Sequence, residues 1–181
     1  MTLTDEEYKE FLEVHLKLLF YVAKQEHIIK PMTPYEIFLK LNLTVKFECR
    51  QALIKNYALL DDYITSHFDL LTTEQINILS GFKRKISASF ILFKCLKNYA
   101  VFIHPDENIK IYAVKALGDP FDDFFDYFPV LVTTTLLPFK DKIVYDGFIQ
   151  LGNIYFGPEM TWGMNESYKE AKKLKRIITT I

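Results

Sequence analysis

Only two cysteines, Cys49 and Cys95, occur among the 181 residues. Two are too few for a disulfide framework, and their separation is wrong for a CxxC redox or zinc motif. Glycine is scarce as well, with six in the chain, so little is available to build a loop that cradles phosphates. No GxGxxG, Walker loop, GxSxG elbow or HExxH is present. No charge of one sign dominates, because 22 basic residues stand against 23 acidic ones. That balance argues against a dedicated duplex-binding domain, which normally carries a basic excess. The longest uncharged stretch, Tyr127 to Phe139, holds two prolines and three threonines and falls short of the ~20 apolar residues of a membrane span. The opening MTLTDEEYKE is acidic, unlike the basic start of a secretory signal. These absences describe a soluble, cytoplasmic protein of a reducing compartment, with no membrane association and no cofactor motif.

What is present is apolar and aromatic. Half of the residues are hydrophobic and 15% are aromatic, the opposite of a disordered composition. The first part, residues 1–84, reads as helical. Thr4 and Glu7 form a capping box, and Tyr8, Phe11, Leu12, His15, Leu18, Leu19 and Val22 make a helical stripe. Thr33 before Pro34, Thr44, and Thr72 with Gln75 mark three further helix starts. From Ser87 the period shifts toward two, placing strands near 88–96, 99–104, 109–116, 129–137, 142–146 and 149–156. Lys140-Asp141 and Asp146-Gly147 read as turns, the latter because both residue types tolerate positive φ. PVLVTTTLL is apolar on both faces, which predicts a central strand. Asn165 is read as the cap of a last helix. The predicted fold is α+β: a helical part (1–84) packed as one unit with a largely antiparallel sheet of five or six strands and short helices (85–181).

Several clusters are candidate sites. In GDPFDDFFDYFP, helical spacing puts Asp119, Asp122, Asp123 and Asp126 in one arc and Phe121, Phe124, Phe125 and Phe128 in the opposite one. Carboxylates so placed suit a hard cation, and an amphipathic helix explains the same pattern. His104 opens HPDEN beside Asp106 and Glu107, a composition that also suits a strand connection. His15 lies within the first apolar stripe, and both cysteines read as packed side chains. Lys83, Arg84 and Lys85, with the terminal Lys169, Lys172, Lys173, Lys175 and Arg176, are the basic features. The segment 145–168 combines four glycines, the only tryptophan and polar residues among aromatics, as a groove for a peptide or small ligand does. Its candidate contacts are Tyr145, Asp146, Asn153 and Trp162.

The blocks LLTTEQINILSGFKRKISASFILFKCLKNYAVFI, IYAVKALGDPFDD, LPFKDKIVYDGF, NIYFG and NESYKEAKKLKRIIT resemble an uncharacterised bacterial family. Members of that family sometimes carry a SEC-C zinc module. The resemblance spans about residues 60–181. The cysteine-rich module is missing here, so the resemblance implies no zinc role and transfers no activity.

The function expected is that of a non-enzymatic binding or adaptor protein, with a protein partner, self-association or a small ligand at its surface. One alternative is a nucleic-acid-associated regulator using Lys83, Arg84, Lys85, Lys172, Lys173 and Lys175. Another is an enzyme with an acidic site around Asp119–Asp126 or Asp146.

Overall fold

A computed structural model describes residues 2–106 and 108–181. The described residues form six α-helices and six strands, the α+β class the sequence predicts. They divide into two compact units: Lys9–Ser80, which is helical, and Gly81–Ile181 together with the residues up to Tyr8, which contains the sheet. Among the described residues no helix is long and apolar enough to cross a membrane.

Helix α1 (Asp5–Gln25) starts at the expected capping box. The Glu7 amide donates to Thr4 Oγ1 and the Thr4 amide to Glu7 Oε2, both at 3.2 Å, so each pairs a group the helix end leaves unsatisfied. Phe11, Val14, Leu18, Leu19 and Val22 are buried along its apolar stripe. The helix stops at His27, which adopts φ 55°, while the Ile28 amide reaches back to the Ala23 carbonyl at 2.9 Å. That bond closes a Schellman motif with histidine where glycine is usual. Helices α2 (Tyr35–Lys40), α3 (Leu43–Lys55), α4 (Ala58–Ser66) and α5 (Thr73–Gly81) follow. Thr72 and Gln75 form the second capping box, at 3.0 and 3.2 Å.

Two helix starts differ from the sequence reading. Pro34 occupies the N-cap of α2, with no side-chain cap, so Thr33 lies one residue outside. Asn42 caps α3, its Oδ1 accepting from the Val45 amide at 3.1 Å; asparagine is the stronger cap, and Thr44 falls inside the first turn.

The sheet contains β1 (Ile86–Cys95), β2 (Ala100–His104), β3 (Lys110–Lys115), β4 (Val130–Phe139), β5 (Lys142–Tyr145) and β6 (Gln150–Leu151). Its order is β1-β2-β3-β5-β4-β6, and an additional β1–β4 pairing closes the first five into a ring. All pairings are antiparallel except β3 with β5. Closure explains why β1 and β4 are long. β1 pairs with β4 through Ile86–Leu92 and with β2 through Ile91–Cys95, with a bulge between Leu92 and Lys94. β4 pairs with β1, β5 and β6, the central position its two apolar faces require. The closed ring gives β1 and β4 strand partners on both sides, which shortens the edge open to another chain.

Helix α6 (Pro158–Lys173) begins with proline in its first turn after Gly157. Proline is pre-organised for that position, so the helix starts earlier than Asn165, which lies in its interior. The expected strand over 149–156 is reduced to the two residues of β6. In GDPFDDFFDYFP only Phe121–Asp123 form a single 3₁₀ turn. Phe121 is buried while Phe124 is half exposed, so the two opposed arcs do not form. Aspartate and phenylalanine are weak helix formers and Pro120 and Pro129 bracket the stretch, which leaves too few residues to propagate a helix.

Candidate functional site

The helical unit contains a cleft of about 370 Å³, within the usual range for small-molecule sites. One wall is the face of α1 opposite its apolar stripe. There Lys17, Phe20, Tyr21 and Lys24 follow the i, i+3, i+4, i+7 spacing that aligns side chains along a helix. Tyr35 enters from the start of α2, Tyr63 from α4 and His67 from the residue after it. Leu70, Leu71 and Gln75 complete the lining.

The rings form two groups. Phe20 lies 5.2 Å from Tyr35 and 5.3 Å from Phe38. Tyr21 lies 5.3 Å from Tyr63 and meets His67 edge-on at 5.5 Å and 88°, and His67 is 4.6 Å from Tyr63. Centroid separations of this size are those of favourable aromatic pairs. His67 Nδ1 is 3.1 Å from the Tyr63 carbonyl and 2.9 Å from Ser66 Oγ, which donates to the Asp62 carbonyl at 2.7 Å. A carbonyl only accepts, so Nδ1 carries a proton.

The charges are unevenly matched. Lys17 is paired with Glu13 at 2.7 Å. Lys24 has no acidic partner among the described residues, and its ammonium stands over Phe20, 4.4 Å from the centroid. Burial pushes the Tyr63 phenol up to about 12, with Tyr35 and Glu13 adding to the shift. Tyr35 is raised too, by burial and then by Glu13. Both phenols are therefore protonated at neutral pH. Among the described residues neither hydroxyl has a hydrogen-bond partner.

The candidates read from the sequence lie elsewhere. Tyr145 and Asp146 are interior, at 7% and 3% exposure, so neither presents a surface contact. Tyr145 packs 5.2 Å from Phe121, and burial drives its phenol up to about 12. Asp146 Oδ1 accepts the Phe148 amide at 3.2 Å, while Thr134 donates to the Phe148 carbonyl at 2.7 Å. Gly147, with φ +87°, makes the corner between them. Asn153 and Trp162 are on the outside, among the exposed Leu151, Ile154, Tyr155 and Met160. The four residues thus divide between interior and surface and do not form one site.

Lys83 and Arg84 are exposed in a 3₁₀ turn, and burial lowers the pKa of Lys85. Lys172 and Lys173 are exposed in the last turn of α6, and Lys175 takes the left-handed position after it, with φ 53°. Sequence reasoning missed Lys94. Its ammonium lies 4.0 Å from the Tyr168 centroid and donates to Asn165 Oδ1 at 3.3 Å; burial lowers its pKa, with Lys169 and Lys172 adding to the effect. Asp119, Asp122, Asp123 and Asp126 are exposed. Among the described residues no three His, Cys, Asp or Glu are grouped to hold a metal ion. His104 Nδ1 is 4.0 Å from Asp106, and Glu107 lies outside the described residues. Burial raises the Cys49 thiol to about 11 and Cys95 to about 12, the latter with Asp122 adding to the effect, so neither is poised as a thiolate.

Comparison with family models, curated proteins and solved structures finds no match to this chain.

Proposed function

We propose that the chain is a non-enzymatic binding protein whose helical unit takes a small, ring-containing ligand. The observation that carries this reading is the aromatic cleft itself, whose walls of Phe20, Tyr21, Tyr35, Tyr63 and His67 surround about 370 Å³. Phenyl and phenol rings supply wide apolar contact while losing little conformational freedom on binding, as recognition sites require. The phenols of Tyr35 and Tyr63, held protonated by burial, supply directional hydrogen bonds rather than a nucleophile.

The test is calorimetric titration with a neutral ring probe, 2-naphthalenemethanol, against the wild type and Leu71→Trp. Leu71 lines the cleft, and an indole there intrudes on the space a ring would occupy. One-to-one binding that disappears in a folded Leu71→Trp supports the reading. Equal binding to both proteins, or no binding by the wild type, contradicts it.

A further inference from the structure

We infer that the cleft selects a planar ring bearing an anionic group, a carboxylate or a phosphate, with Lys24 as its counter-ion. This inference rests on the reading of the cleft as a ligand site. Two lining side chains are cationic and none is acidic. The nearby Glu13 is already engaged by Lys17 at 2.7 Å, which leaves the Lys24 charge uncompensated. A cluster of aromatic rings also suits a quaternary ammonium, through cation–π attraction. Here, however, Lys24 already occupies the face of Phe20 at 4.4 Å. A second cation brought beside it meets like-charge repulsion in a partly desolvated cleft, where Coulomb interactions exceed their value in water. An anion gains on the same count.

The polar groups agree with this sign. Tyr35 and Tyr63 have hydroxyls without protein partners among the described residues, and as protonated phenols they donate to a carboxylate or phosphate oxygen. The Lys24 ammonium adds a charge-assisted donor next to the ring wall. One helix face thus offers ring contacts from Phe20 and Tyr21 and charge from Lys24.

Four probes that share one ring system separate the alternatives by calorimetry: 2-naphthoate, 2-naphthalenemethanol, 2-naphthyl-trimethylammonium and 2-naphthyl phosphate, the last distinguishing the two anionic groups. The expected result is that the tighter of the two anions binds roughly tenfold more tightly than the alcohol, the scale of a charge-assisted hydrogen bond. That preference shrinks to within about twofold in Lys24→Gln and persists in Lys55→Gln, which alters an exposed lysine outside the cleft. Binding of the alcohol or the ammonium as tight as that of the tighter anion overturns the inference while leaving the ligand site intact. Failure of every probe overturns both.

Discussion

The Lys24 ammonium stands 4.4 Å from the centroid of Phe20, one turn earlier on α1. Both residues lie on the helix face that amphipathic patterning assigns to solvent, and with Tyr21 they turn that face into the wall of a cleft. Phe20 is half-buried and lines the cleft while packing on Tyr35 and Phe38. Phe20→Leu is expected to leave the helical content unchanged by circular dichroism and to weaken a naphthalene-ring probe roughly threefold to tenfold, the value of one aromatic pair. Unaltered affinity separates Phe20 from the site.

His15 makes the stability of the helical unit depend on pH. Its side chain is buried, and burial, with the Arg50 charge adding to it, lowers its pKa from 6.5 to about 4. Between those values the unfolded chain binds a proton that the folded chain refuses. The stabilisation is therefore complete above about pH 6.5 and is lost as pH falls toward 4, amounting to about 3 kcal/mol in total. Urea unfolding at pH 7 and pH 4.5 should show most of that loss in the wild type and a flatter profile in His15→Leu. Parallel profiles in the two proteins contradict the assignment.

The corner after β5 is held by buried polar groups. Removing the Asp146 carboxylate takes away the charged acceptor that the Phe148 amide meets at 3.2 Å. Asp146→Ala is expected to cost about 1.5–3 kcal/mol, the scale of a hydrogen bond to a charged group. Gly147→Ala is expected to cost about 1 kcal/mol because φ is +87° there. Denaturant midpoints measure both. Wild-type midpoints in both variants contradict a structural role for the corner.

Glycine is scarce enough that two helices end in left-handed residues of other types. His27 and Lys175 have φ 55° and 53°, and each is followed by an amide that closes a Schellman bond, Ile28 to Ala23 at 2.9 Å and Arg176 to Ala171 at 2.8 Å. His27→Gly and Lys175→Gly are each expected to stabilise the protein by about 1 kcal/mol, because only glycine takes this conformation without steric cost. A lowered melting temperature in both contradicts the assignment.

Much of the fold was legible because it depends on neighbours in sequence. The two capping boxes, Thr4 with Glu7 and Thr72 with Gln75, are local signals and form as read. The apolar run of β4 announced a central strand. Local signals misled where two caps competed, as with Asn42 and Thr44, or where prolines bounded a helical pattern too short to propagate, as in GDPFDDFFDYFP. Ring closure depends on long-range β1–β4 pairing, for example Ser89 with Thr133, which no local pattern encodes. The cleft was invisible for the same reason, since it joins α1 to Tyr35, Tyr63 and His67 across distant stretches. One signal was available: Phe20 and Tyr21 interrupt the polar face of α1 at positions that solvent exposure does not explain.

The most direct test is to locate the bound ring by nuclear magnetic resonance, titrating 2-naphthoate into the isotopically labelled full chain. Chemical-shift changes centred on Phe20, Tyr21, Tyr35, Tyr63 and His67 are the predicted result. Changes centred instead on the exposed segment from Leu151 to Trp162, with the cleft resonances unmoved, would contradict the account.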